Sequence, residues 1–65
     1  MEQSQKIKAV TTPRFEIILI QLPSGQYCVG YEKPTDEKPT LSEPITDLGM
    51  AMHMFDVKLR ELEGN

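Results

Sequence analysis

The stretch Phe15-Glu16-Ile17-Ile18-Leu19-Ile20-Gln21-Leu22 constrains this chain more than any other. Its composition predicts a β-strand, from about Arg14 to Leu22. Side chains alternate across a strand, so Phe15, Ile17 and Leu19 point one way and Ile18, Ile20 and Leu22 the other. A strand with one wet face would alternate apolar and polar residues; this one is apolar on both. A chain of 65 residues has little material to cover two faces. Chains of this size bury only about 60% of their unfolded surface, and many need disulfides, metal or oligomerisation.

Two of those three supports are ruled out by residue counts. Cys28 is the one cysteine, so no disulfide forms within the chain. A structural zinc site takes about four ligands, and one Cys and one His53 do not supply them. Oligomerisation is left. One small domain over residues 1–65 is expected, completed by dimerisation.

Beyond the strand, Pro23-Ser24-Gly25 reads as a hairpin turn. Pro23 presets φ, and Gly25 tolerates a positive φ. A three-residue loop sets the pairing with the second strand, residues 26–32. Gln21 then faces Tyr27, Leu19 faces Val29 and Ile17 faces Tyr31. On the opposite side Ile20 faces Cys28, Ile18 faces Gly30 and Glu16 faces Glu32. Gly30 leaves a hollow beside Ile18 where another group can approach. Upstream, Lys6-Ile7-Lys8-Ala9-Val10-Thr11-Thr12 allows a third, N-terminal edge strand that ends at Pro13. Residues 1–5 read as a polar, disordered tail.

Residues 33–44 hold Pro34, Pro39 and Pro44, and repeat Glu-Lys-Pro-Thr at 32–35 and 37–40. Proline opposes helix and sheet ladder alike, so an extended acidic loop is expected here. A helix follows and ends at Gly64, with Ser42 or Thr46 as its cap and Asp47 in its first turn. Ile45, Leu48, Ala51, Met52, Phe55, Leu59 and Leu62 share its core face at 3.6-residue spacing. Met50, Met54 and Val57 form a second apolar stripe on about the opposite side. The fold class is therefore α+β: a β-hairpin, with an optional third strand, packed against one C-terminal helix.

The charge is −3 and the pI about 4.9. An acidic chain argues against nucleic-acid binding as a main role. The charge is uneven, however. Lys6, Lys8 and Arg14 against Glu2 leave residues 1–14 at +2, while residues 32–47 carry −3. The longest apolar run, Ile17 to Ile20, is too short to span a bilayer. The start Met-Glu-Gln-Ser-Gln-Lys is polar with no apolar segment behind it, and one thiol is unpaired. The cytoplasm is the expected location.

Each residue type capable of chemistry has a plainer reading. No His or cation adjoins Cys28 in sequence to activate it, and mid-strand it reads as a small hydrophobe. His53 has only Asp56 nearby and reads as a surface residue. Glu16 and Glu32 resemble a paired-carboxylate site but fall at the open end of the hairpin. Tyr27 and Tyr31 share a face as a base-stacking platform would, without the cations such platforms carry. No phosphate loop, nucleophile motif, metal site or small-molecule site is evident, so neither catalysis nor a cofactor is expected.

The Met50, Met54 and Val57 stripe is where a functional reading wins, because methionine-rich surfaces adapt to partners. The expected function is a small non-enzymatic protein–protein interaction module, a homodimeric regulator or adaptor. Its interface is placed at Met50, Met54 and Val57, or at Ile18 and Ile20. The order hairpin, acidic loop, helix resembles the first part of HicB-type antitoxins, and small phage-encoded inhibitors look similar in size and acidity. That likeness is one of fold order. The alternative reading is an antitoxin-like or nucleic-acid-binding dimer using Lys6, Lys8 and Arg14.

Overall fold

Pro13 and the Pro23-Ser24-Gly25 turn divide the first half of the chain into three strands. The computed structural model describes residues 4–64. They form β1 (Gln5–Thr11), β2 (Glu16–Gln21), β3 (Tyr27–Glu32), β4 (Thr40–Leu41) and α1 (Leu48–Glu63). The sheet is antiparallel, in the order β1-β2-β3-β4. The class is α+β. Of the tail expected over residues 1–5, residues 1–3 lie outside the described residues, and Gln5 already pairs with Gln21 at the start of β1.

The first turn is organised by Thr12. Its backbone N–H donates to Phe15 O at 2.8 Å. Its hydroxyl accepts from Arg14 N at 3.2 Å and Phe15 N at 3.1 Å. A side chain thus satisfies backbone donors where Pro13 ends the ladder. In the second turn Leu22 N donates to Gln26 O at 2.7 Å, and Gly25 N donates to Leu22 O at 2.9 Å. Gly25 has φ 94°, a conformation side-chain-bearing residues avoid. The resulting register pairs Glu16 with Glu32, Ile18 with Gly30 and Ile20 with Cys28.

The structure departs from the sequence expectation over residues 40–45. Thr40 and Leu41 pair with Tyr31 and Gly30 as β4. Ser42 N donates to Val29 O at 2.8 Å, and Ser42 Oγ accepts from Val29 N at 2.9 Å. Ile45 then pairs with Tyr27 through two backbone bonds. The segment is an interrupted edge strand running the length of β3. Three steps from Ser42 to Ile45 oppose two from Val29 to Tyr27, so Glu43-Pro44 forms a bulge. Proline is tolerated at such a place because no ladder bond is required of it. The hollow at Gly30 is filled by β4: a Cβ there would sit 2.7 Å from Leu41 Cδ2 and 3.4 Å from Ile18 Cγ1.

The helix begins one residue later than a Thr46 cap would place it and five later than a Ser42 cap would, and that expectation is corrected. Asp47 is the N-cap, and its Oδ2 accepts from Met50 N at 2.8 Å. Ser42 is committed to β3 and cannot cap. At the other end Gly64 N donates to Arg60 O. The helix lies across β2 and β3. Ala51 and Phe55 are fully buried against Ile17, Leu19, Val29 and Phe15. The small Ala51 lets the helix approach closely, and Phe55 fills the space beyond it. Tyr27, Tyr31, Leu59 and Leu62 border this core. Leu48 and Met52, assigned to the core face by periodicity, are exposed. Ile45 packs on the core from its bridge to Tyr27 and is not helical.

Replacing Asp47 by Ala should lower stability by about 1 kcal/mol, the usual cost of a lost cap. Thr46→Ala should stay within about 0.5 kcal/mol. Urea denaturation followed by far-UV circular dichroism compares the two, and equal losses would contradict the capping assignment.

Candidate interaction surfaces

One helix covers one face of the sheet, so two apolar regions are left outside the core. The first lies on the helix. Met50, Met54 and Val57 are 54%, 43% and 38% exposed. Met54 also lines a groove of about 250 Å3 between α1 and β4, with Val29, Tyr31, Thr40, Leu41, Ser42 and Lys58. Stripe and groove are continuous. The groove's one cation is held in place: Lys58 Nζ lies 2.9 Å from Glu61 Oε1 and 4.9 Å over the Tyr31 ring. The bond to Glu61 raises the Lys58 pKa above its ordinary value, partly opposed by desolvation.

The second region is the sheet face turned from the helix. The register orders it in three rows. Lys6, Ile20 and Cys28 form one row; Ala9, Ile18, Gly30 and Leu41 the next; Thr11, Glu16 and Glu32 the third. Side chains directly opposite in an antiparallel pair share a face. Ile18 and Ile20 are half-buried on it. Cys28 is 5% exposed, and its Sγ lies 3.5 Å from Ser42 O.

The residues capable of chemistry do not converge. Glu16 and Glu32 are direct cross-strand partners beside Lys33 and Asp36, lining an open depression. Thr11 Oγ1 donates to Glu16 Oε2 at 3.2 Å. His53 is exposed on α1. Among the described residues no group of three His, Cys, Asp or Glu side chains is placed to hold a metal ion. Tyr27 and Tyr31 face the helix and border the core, so their rings are not an open stacking platform.

The three N-terminal cations are likewise dispersed. A bulge between Lys6 and Lys8 sends them to opposite faces of β1. Lys6 joins the outer face, opposite Ile20. Lys8 lies on the helix side, its Nζ 5.0 Å from the centre of the Phe55 ring. Arg14 lies past the end of β1, lining a depression with Phe15, Lys33, Glu61 and Leu62. Strict alternation in the sequence gives no hint of that bulge. Among the described residues no helix is long and apolar enough to cross a membrane. No family model, curated protein or solved structure matches the chain.

Cys28 should react with a thiol reagent roughly 100-fold more slowly in the native chain than in denaturant, because access requires opening of the β3–β4 edge. Equal rates would contradict its burial.

Proposed function

We propose that this chain is a small non-enzymatic protein–protein interaction module, a homodimeric regulator or adaptor working in the cytoplasm. The observation that carries the reading is the pair of apolar surfaces on opposite sides of a two-layer slab. Neither is a scatter of single residues. Met50, Met54 and Val57 run into the α1–β4 groove, and Ile18 and Ile20 lie in rows spanning the sheet. Contiguous apolar surface of this kind marks interaction sites. The thioether stems of the methionines repack at little cost, which suits a partner-facing helix.

The dispersal of Lys6, Lys8 and Arg14 supports a protein partner over a nucleic acid, which selects cations on one face. The separation of Glu16, Glu32, Cys28 and His53 supports binding over catalysis, since acid–base and nucleophilic chemistry need such groups within hydrogen-bond reach.

Sedimentation equilibrium of the whole chain at micromolar concentration should give a mass above the 7.4 kDa monomer. A lysine at Ile18 or at Met54 should lower the association or remove partner binding at that surface. A chain that stays monomeric to about 100 μM, a loading well above Kd for even a weak specific dimer, would overturn the dimeric reading.

A further inference from the structure

We propose that the outer face of the sheet is the self-contact: it binds the same face of a second copy across a two-fold axis that lies between the sheets and runs perpendicular to the strands. This rests on the interaction-module reading and assigns one of its two surfaces. Charge complementarity, laid out in rows, favours this face. Lys6 stands at one end of the face, the apolar row Ala9, Ile18, Gly30 and Leu41 at its middle, and Glu16 with Glu32 at the other end. Rows two residues apart are about 7 Å apart along the strands, so cation and carboxylates are separated by roughly 14 Å.

A two-fold contact brings one patch onto itself, so the patch must be self-complementary. The axis perpendicular to the strands exchanges the ends. Ile18 and Leu41 then meet their own row, and Lys6 comes over the partner's Thr11–Glu16 corner. Stacked sheets lie about 10 Å apart, within reach of a lysine stem meeting a glutamate. An axis parallel to the strands would instead set both pairs of carboxylates against each other, and charge selects against it.

The acidic end has its own need. Glu16 and Glu32 are directly opposite, and like charges so placed are destabilising. Among the described residues neither forms an ion pair within the chain. The partner's Lys6 supplies the missing cation. The product is a closed four-layer sandwich, helices outermost, with Met50, Met54 and Val57 left open to a different protein.

The test is sedimentation equilibrium of the full chain and its variants at low and moderate salt, with circular dichroism to verify folding. Ile18→Lys should abolish the dimer and keep the fold, because Ile18 lies outside the core. Lys6→Glu and Glu16→Lys should each weaken dimerisation at least about tenfold, a modest share of what truncated interfacial charge pairs cost. The double variant Lys6→Glu/Glu16→Lys should restore it. A dimer that survives Ile18→Lys but is lost with Met54→Lys overturns this inference and leaves the interaction-module reading standing. Failure of the double variant to recover overturns the proposed axis. A monomer at every concentration overturns both.

Discussion

A single helix can cover only one face of a sheet, and everything else in this molecule follows from that limit. Phe55 and Ala51 close over Ile17, Leu19 and Val29 and make the one region, among the described residues, where side chains are fully buried. Deleting a buried aromatic of this kind costs about 3–5 kcal/mol, a large part of the stability of a domain this small. Lys8 and Lys58 extend the cover at its two margins, lying over the rings of Phe55 and Tyr31. Beyond them the helix has no further reach. The opposite face keeps Ile18, Ile20 and Leu41, and the helix keeps its methionines.

Strand β2 was legible because its residue types, its length and the turn after it agree. Pro23 and Gly25 set the loop, the loop sets the register, and the register puts Gly30 next to Ile18. Less was legible where two signals conflict. Three prolines in residues 33–44 argue for loop, yet Pro39 stands just before β4 and Pro44 falls in a bulge. Neither is asked for a ladder bond. Leu41 reaches Gly30 across the sheet, and nothing local in the sequence announces that long-range contact. Ser42 and Thr46 are good caps by type. The first is spent on Val29, which left the role to Asp47. The helix periodicity gave the centre of its buried face, Ala51 and Phe55, and misjudged the margins at Leu48 and Met52.

The candidate surfaces were legible to the same degree. That Met50, Met54 and Val57 form one stripe follows from spacing alone. Its continuity with a groove beside β4 does not, because nothing local in the sequence marks β4. The positive N-terminal segment looked like one basic patch in the sequence. A one-residue bulge splits it and gives Lys6 and Lys8 different roles, one beside an apolar sheet face and one above the core.

In the proposed dimer the second face of the sheet is completed by another copy of the chain. Isotope-filtered nuclear Overhauser spectroscopy on an equal mixture of labelled and unlabelled chains detects that contact. Intermolecular contacts are expected among the methyl groups of Ala9, Ile18 and Leu41, the row that meets itself across the axis. Their absence in a sample that is dimeric, or intermolecular contacts confined to Met50, Met54 and Val57, would contradict it.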